Sequence, residues 1–229
     1  MHNASRYNPS LLSVLKEAVR GKSVSRTMTN LFWRGRIPLS GTLLDIGGAG
    51  RGSHYRFLNL DPKVTLTVAD MVPQSGTDFV LDITKEKVPL PDSSQDTVLM
   101  FNILEHLPEH SRALSEVRRL LRPGGQLIGS IPFLVNVHPD PPDYLRLTRE
   151  GLERLFSENG FSVLALEPVG RGPFLAGYEQ LDMVLNPFVH LICLPIVWCL
   201  DGLLLALKPK RDFRSQFPLA YNFVVRKKV

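Results

Sequence analysis

The chain has 229 residues, of which 44% are hydrophobic, and a formal net charge of +5. This length and apolar content predict one α/β domain with additions and a sizeable core. The two cysteines, Cys193 and Cys199, lie in one apolar run, which excludes a disulfide framework and a cysteine-based zinc site. No apolar signal region occurs in residues 1–20, so we expect a cytoplasmic protein.

The charge is unevenly distributed along the chain. Residues 1–40 carry seven lysines and arginines against one acid, and residues 208–229 have the same balance. The intervening residues 41–207 carry 13 basic and 20 acidic residues. This acidic body excludes a basic groove for nucleic acid. Basic ends suit an anionic membrane surface or an anionic acceptor, and the alternative is that they only keep the ends soluble.

Helical and strand-like segments alternate along most of the chain. Residues 9–36 predict one or two basic amphipathic helices, because Leu11, Leu12, Leu15 and Val19 share a helical face. From residue 42 onward, apolar strands alternate with helices, which predicts a mostly parallel sheet with helices on both faces. The predicted strands are 42–46, 64–69, 79–81, 97–101, 126–131, 161–166 and 221–225, and the predicted helices between them are 52–59, 109–121 and one capped by Thr148.

Residues 174–215 interrupt this alternation, and their composition predicts an apolar helical insertion. Within residues 188–207 the non-apolar members are His190, Pro195, Asp201 and Gly202. A membrane-spanning helix needs about 20 apolar residues, so the length permits a span. A membrane-surface element, a core lid and a dimer face are the alternatives. Lys208, Lys210 and Arg211 follow at once, as expected for an interfacial anchor.

Polar residues stand at the ends of the predicted strands. Ligands of an open parallel sheet bind beyond the carboxyl ends of its strands. The residues at or just past those ends are Asp45, Asp70, Asp82 and Asn102. Four polar groups on one edge are hard to explain by packing, although Asp70 or Asp82 could each simply cap a turn.

The first strand runs into a glycine-rich turn over residues 47–52. The dinucleotide fingerprint G-x-G-x-x-G fails there in every register, and the acid at Asp45 repels a pyrophosphate. Asp70 lies 20 residues beyond Gly50, the separation at which an acid after the second strand reaches ribose hydroxyls. The turn therefore predicts a nucleoside ligand whose near end is an amine or a cation.

The glycine-rich turn belongs to an ordered series of motifs over residues 40–168. They are Leu44 to Gly50, Asp70, Asp82, Leu90-Pro91-Asp92 leading to Asp96, Asn102 to Leu107, and Leu121 to Gly125. In this order they resemble class I S-adenosylmethionine-dependent methyltransferases of the type 11 group. The resemblance implies a Rossmann-like, seven-stranded, mostly parallel sheet and S-adenosyl-L-methionine as cofactor.

The resemblance also implies which residues bind the cofactor. Asp45, Gly47, Gly48 and Gly50 hold the methionine end, and Asp70 with the adjacent Met71 lies at the ribose. Asp82 binds the adenine amine, Ile83 packs on the ring and Asn102 is near the sulfonium. The group usually has glycine where Ala49 and Arg51 stand, and Gly50 and Gly52 compensate for this by a one-residue shift.

The segment 138–148 carries the candidate acceptor residues. It resembles, more loosely, a motif of type 11 methyltransferases encoded with bacterial glycan and lipid-glycan biosynthesis genes. A hydroxyl acceptor needs a general base with a pKa near neutrality, and His138 and His106, which stands beside Glu105, are the candidates. Asp143 and Tyr144 complete the predicted catalytic set. The alternative is a structural loop in which Arg146 pairs with Asp143 and Tyr144 lies in the core.

Together these features predict a methyltransferase that acts on the oxygen of a glycan or a lipid-linked glycan. Methyl transfer from a sulfonium needs positioning, so we expect no metal. The alternatives are methylation of a small apolar acceptor such as a quinone precursor and a non-catalytic S-adenosylmethionine-binding protein. The predicted domains are a basic helical segment, 1–40, and a methyltransferase domain, 41–229, that contains the insertion. The oligomeric state stays open.

Overall fold

The structure, a computed structural model, describes residues 9–48, 54–138, 141–181 and 184–228. Its strands are β1 Pro38–Leu39, β2 Thr42–Ile46, β3 Asn59–Leu60, β4 Thr65–Asp70, β5 Phe79–Val80, β6 Gln95–Phe101, β7 Leu121–Pro132, β8 Phe161–Val169 and β9 Ala220–Lys227. Its α-helices are α1 Leu11–Ala18, α2 Val24–Trp33, α3 His110–Leu120, α4 Arg149–Glu158, α5 Pro173–Gln180, α6 Pro187–Leu207 and α7 Phe213–Gln216. Short 3-10 helices cover Tyr55–Phe57 and Leu104–His106.

The main sheet has seven strands in the order β5-β4-β2-β6-β7-β9-β8. β4 and β6 pair in parallel with β2, while β5 and β7 extend the parallel arrangement outward. β9 runs antiparallel to β8, because Leu219 N donates to Val169 O (2.7 Å) at one end and Lys228 N donates to Gly160 O (3.0 Å) at the other. The predicted seven-stranded, mostly parallel sheet is confirmed.

The central strands end level with one another. Asp45, near the end of β2, pairs with Val68 of β4 and with Leu99 of β6. Leu43 and Leu44 of β2 are fully buried, as expected for a strand that is covered on both faces. The polar residues that follow these strands therefore lie along one edge of the sheet, where ligands of such folds bind.

Helix α4 begins and ends where its sequence predicts. The Thr148 hydroxyl accepts a hydrogen bond from Gly151 N (3.2 Å) at the start of the helix. Leu152 and Phe156, one turn apart, are fully buried. The helix ends before Gly160, whose φ of +80° favours glycine.

Two predicted segments differ in the structure. β7 begins at Leu121, not at residue 126, and so includes the Pro-Gly-Gly sequence that was expected to separate helix from strand. Proline is tolerated near the beginning of a strand, where few ladder bonds have formed. In place of a helix over 52–59, the described residues have the Tyr55–Phe57 turn and then β3, which pairs with β1 in a small second sheet. Residues 49–53 lie outside the described residues.

The chain divides into two compact units. One comprises the described parts of residues 1–34, 132–136 and 168–221, and it includes α1, α2, α5, α6 and α7. The other comprises residues 35–131, 137–167 and the described part of 222–229, and it includes β1 to β6, α3 and α4. The predicted division after residue 40 stays a prediction.

Helix α6 has one buried and one exposed side. Its segment Phe188–Leu207 has a mean hydropathy of 2.1 and is long and apolar enough to cross a membrane, by length and composition only. Buried Asp201 accepts hydrogen bonds from Phe174 N (3.1 Å) and Leu175 N (2.9 Å), and so caps the start of α5. These bonds explain an acid within an apolar helix. The large exposed side chains of α6 are Phe188, Leu191, Ile192, Ile196, Leu200, Leu203 and Leu207.

Candidate active site

A cavity of about 530 Å³ lies at the carboxyl ends of β2, β4 and β6. Several predicted cofactor residues line it, namely Gly47, Asp70, Met71, Ile83 and Asn102. The rest of the lining is mainly apolar and includes Ile46, Leu81, Ile103 and Leu107. A mainly apolar pocket with a few polar groups at one edge is the usual form of a small-molecule site.

Gly47 begins the turn after β2 and is required there for two reasons. Its φ is +77°, a conformation that L side chains rarely adopt. A Cβ at this position would also lie 2.0 Å from Cδ1 of Ile103, which lines the cavity. The amide of Gly47 donates to Ala69 O (2.8 Å), which ties the turn to the end of β4. The turn is therefore held close to the cavity wall by backbone contacts.

Asn102, directly after β6, has a φ of +54°, which is uncommon for a residue other than glycine. Its amide donates to Ser130 O (2.9 Å), and its side-chain oxygen accepts from the Ser130 hydroxyl (2.7 Å). Ser130 is fully buried in β7, so the bonds fix Asn102 against a rigid strand. Backbone strain held at a cavity edge is typical of functional sites.

Asp45 is almost fully buried and does not line the cavity. Its Oδ2 lies 2.9 Å from His54 Nε2 and accepts a hydrogen bond from the Tyr55 hydroxyl. Its Oδ1 has no hydrogen-bond partner among the described residues. A Cβ at Gly48 would lie 2.3 Å from Oδ2, so glycine is needed beside this carboxylate. Gly50 lies outside the described residues.

Asp82 follows β5 but does not line the cavity. Its Oδ1 accepts from Thr84 N (2.9 Å) and Thr84 Oγ1 (2.6 Å), and its Oδ2 pairs with Lys85 Nζ (2.9 Å). Burial raises the pKa of Asp82, but the bonds from Thr84 and Lys85 outweigh it and hold the pKa below its ordinary value. Of the four edge residues, Asp70 and Asn102 line the cavity, whereas Asp45 and Asp82 do not. Their roles toward a cofactor stay predictions.

Two candidate bases, far apart in sequence, meet at Glu105. His106 Nε2 lies 3.7 Å and His138 Nε2 lies 3.9 Å from Glu105 Oε1. The two imidazole rings are 5.1 Å apart, edge to face. Because His106 also lines the cavity, this cluster of Glu105, His106 and His138 borders the place where a small molecule would bind.

The segment that carries His138 is held by a partly buried ion pair. Asp143 accepts from both terminal nitrogens of Arg146, and its Oδ2 lies 3.4 Å from His138 Nδ1. The Arg146 guanidinium holds the pKa of Asp143 below its ordinary value. Tyr144 N donates to Glu105 O (2.8 Å), but the Tyr144 side chain is 54% exposed. Arg146 therefore pairs with Asp143 as in the structural alternative, whereas placing Tyr144 in the core was wrong.

Glu105 is the residue whose importance the sequence understated. It is fully buried, and neither carboxylate oxygen has a hydrogen-bond partner among the described residues. Burial raises the pKa of the Glu105 carboxyl to about 8 and lowers that of the His106 imidazole below its ordinary value. The available signal was an acid placed directly after Leu104, four residues beyond the end of β6. Perturbed ionisable groups beside a cavity mark a candidate functional site.

Residues 44–129 match the model of the family described as "Methyltransferase domain". Over these residues the chain is similar to type 11 methyltransferase domains. Over 102 residues it is 37% identical to a protein named as a probable S-adenosylmethionine-dependent methyltransferase of Mycolicibacterium smegmatis. It is 31% identical over the same length to one so named in Mycobacterium tuberculosis. These alignments cover 42% of this chain and 38% and 37% of the relatives, so the chain matches less than two fifths of their length.

Solved structures similar to this chain give the fold of the methyltransferase domain. A 1,6-didemethyltoxoflavin-N1-methyltransferase of Burkholderia thailandensis with bound S-adenosylhomocysteine has a TM-score of 0.52 and 15% identity, over 95% of this chain and 79% of that one. The CurJ carbon methyltransferase has a TM-score of 0.55 and 16% identity, over 94% and 58%. The predicted class I methyltransferase fold is confirmed. The [4+2]-cyclase SpnF, with a TM-score of 0.53 and 17% identity over 96% and 93%, is also similar, so this fold does not fix one reaction.

Proposed function

We propose that this protein transfers the methyl group of S-adenosylmethionine to an oxygen of an acceptor. The observation that carries the proposal is the cavity at the carboxyl ends of β2, β4 and β6, edged by Gly47, Asp70 and Asn102 within the methyltransferase domain. Ligands bind at this place in open α/β sheets. The relatives named as S-adenosylmethionine-dependent support the choice of donor.

The residues present fit this donor. The Asp70 carboxylate at the end of β4 can accept hydrogen bonds from two ribose hydroxyls, and apolar Leu81 and Ile83 suit a purine ring. Asp45 does not line the cavity, but its Oδ1 is a buried acceptor without a hydrogen-bond partner among the described residues, and we propose that it binds the ammonium group of the donor. Gly47 lets a ligand approach the backbone. We propose that Asn102 lies beside the sulfonium.

The cofactor supplies an electrophilic methyl group, and the protein must place the acceptor and take up its proton. We propose His138 or His106 as the base. His138 is 45% exposed and therefore within reach of an acceptor, and Asp143 lies at its other ring nitrogen, where it stabilises an imidazolium. The acceptor oxygen forms a bond to the methyl carbon while the carbon–sulfur bond breaks, and the sulfur keeps the electron pair. The proton passes to the imidazole.

We propose a glycan or lipid-linked glycan as the acceptor, with the exposed side of α6 resting on an anionic membrane. The looser resemblance of segment 138–148 supports the glycan. The large exposed apolar side chains of α6, followed by Lys208, Lys210 and Arg211, support an interfacial position. Asp201 and its bonds to α5 favour this position over a span, because crossing would place a capping carboxylate in hydrocarbon. A cytoplasmic location stays a prediction.

The proposal is tested by incubating the protein with methyl-labelled S-adenosylmethionine and separate acceptors. The acceptors are a free glycan, a lipid-linked glycan and a phenolic quinone precursor. We expect label on a glycan hydroxyl, with stoichiometric S-adenosylhomocysteine, and a large loss of turnover in His138→Ala or His106→Ala but not in His190→Gln. Label on the phenol alone would overturn the acceptor class. A bound donor that is never converted with any acceptor would favour the non-catalytic alternative.

A further inference from the structure

The cluster of Glu105, His106 and His138 presents three potential metal ligands to one point. One ligand atom from each residue lies within 4.8 Å of the other two. Both imidazole Nε2 atoms face the same carboxylate oxygen, at 3.7 and 3.9 Å. Ligand atoms around a tetrahedral zinc ion are about 3.4 Å apart, given bond lengths of about 2.1 Å. Around such an ion the two distances to the carboxylate oxygen would shorten by about 0.3 and 0.5 Å, and the distance between the two imidazole nitrogens by at most about 1.4 Å.

The other nitrogen of each imidazole is already engaged. His106 Nδ1 lies 3.1 Å from Pro142 O, which requires the Nδ1 atom to carry the proton and leaves Nε2 with a free lone pair. His138 Nδ1 lies 3.4 Å from Asp143 Oδ2, and Arg146 fixes Asp143 in turn. Carbonyl or carboxylate partners on the far nitrogen are the usual support of metal-binding histidines, because they set the tautomer and the ring orientation.

Glu105 gives an independent indication of a ligand. Its side chain is fully buried, and neither oxygen has a hydrogen-bond partner among the described residues. A buried carboxylate without protein partners is costly unless it is protonated or binds a cation. A cation at the cluster would satisfy it together with two neutral imidazoles.

We propose that Glu105, His106 and His138 bind one divalent transition metal ion of the zinc type. Two histidines and one glutamate are a known zinc ligand set that leaves a coordination position open for a small molecule. His106 lines the cavity and His138 is 45% exposed, so the open position would be accessible from the cavity.

If the proposed methyl transfer also holds, the metal changes how the acceptor is activated. An ion held by these three residues would lower the pKa of a bound acceptor hydroxyl, so that the hydroxyl could lose its proton to water while its oxygen bonds to the methyl carbon and the carbon–sulfur bond breaks, the sulfur keeping the electron pair. The products are a methyl ether, S-adenosylhomocysteine and one proton. In the metal-loaded protein the histidines are ligands, and they act as bases only in the metal-free protein.

Metal binding is measured directly with Co²⁺ on the full chain, free of any affinity tag and stripped with a chelator. We expect one equivalent of Co²⁺ to give visible d–d bands that Zn²⁺ abolishes by displacement. His138→Ala and Glu105→Gln should each weaken binding at least tenfold, and Asp143→Asn about tenfold, whereas His190→Gln should not change it. Circular dichroism verifies that each variant is folded, and half-exposed His138 is the substitution that the fold tolerates best.

Failure of wild-type protein to bind Co²⁺ or Zn²⁺, or equal binding by folded wild type and His138→Ala, would overturn the metal site. The same samples are tested for S-adenosylhomocysteine binding and methyl transfer. Turnover of S-adenosylmethionine without metal binding would contradict the metal site and support the proposed function. Metal binding without donor binding upholds the site and removes the proposed function.

Discussion

Gly47 and Gly124 offer a matched pair of substitutions at the scale of single residues. Both have a φ of +77°, but a Cβ at Gly124 meets nothing within 4 Å, whereas one at Gly47 meets Ile103. We expect the backbone conformation to cost both Gly47→Ala and Gly124→Ala about 1–2 kcal/mol of stability, and Gly47→Ala to lose more because Ile103 must shift. Only Gly47→Ala should also weaken S-adenosylhomocysteine binding, because Ile103 must move within the cavity lining. Denaturation and calorimetry measure the two effects, and equal donor affinity in both variants would contradict this role for Gly47.

Residue spacing predicted part of the site and missed the rest. The turn at Gly47 and the positions of Asp70 and Asn102 followed from strand ends, because the carboxyl ends of parallel strands share one edge. The environment of Asp82 could not be predicted in this way, since bonds to Thr84 and Lys85 depend on the turn that forms after it. The meeting of Glu105 with His138 depends on a loop path that no periodicity encodes.

At the scale of elements, Asp96 links the first residue of β2 to β6. Its Oδ2 accepts from Thr42 N (2.8 Å), and Arg122 pairs with Oδ1. The Thr42 backbone bond and Arg122 hold the pKa of Asp96 below its ordinary value of 3.8. Stability from this carboxylate is therefore present above that value and is lost as the pH falls through the lower, folded-state pKa.

We expect Asp96→Asn to cost about 1 kcal/mol at neutral pH, a modest figure because the carboxylate is partly exposed. The difference in unfolding free energy between wild type and variant should be constant down to about pH 5 and shrink below about pH 4. Urea denaturation across this range measures it. A difference that grows on acidification would contradict the assignment.

The exposed apolar side of α6 is the surface that we expect to bind anionic membranes. Ile192→Glu and Ile196→Glu place charges among its exposed apolar side chains, so we expect each to reduce flotation with anionic vesicles several-fold. Leu164→Glu, at an exposed leucine of β8, is the matched control and should float as wild type does. The membrane proposal would be contradicted if the wild-type protein did not float with anionic vesicles, or if all variants floated equally.

Element prediction succeeded where the pattern was local. Threonine and glycine at the ends of α4 and the apolar run of β2 determine those elements from adjacent residues. The sequence left the environment of α6 undecided, because it does not show what the Asp201 carboxylate binds. Its partners are the amides of Phe174 and Leu175. Those partners are separated by 27 and 26 residues, beyond the reach of a window along the chain.

At the scale of the whole molecule, the order of strands was predictable in outline. Alternation of strands and helices predicts a parallel sheet, but it does not predict that β9 lies between β7 and β8. One compact unit contains α1 and α2 together with α5, α6 and α7. The amino-acid composition does not predict this grouping, although the helices share apolar faces. The charge distribution predicts that the protein has no basic groove for nucleic acid, which stays a prediction, and it gives no information on the acceptor.

Calorimetric titration with S-adenosylhomocysteine tests most directly whether the cavity at the carboxyl ends of β2, β4 and β6 binds the sulfur nucleoside. We predict one binding event per chain and a loss of about tenfold to a hundredfold in affinity in Asp70→Asn, as expected for removing a charged hydrogen-bond acceptor. Asp92→Asn, at an exposed carboxylate, should bind as wild type does. No heat with S-adenosylhomocysteine or S-adenosylmethionine, together with tight binding of a nicotinamide dinucleotide, would contradict the account.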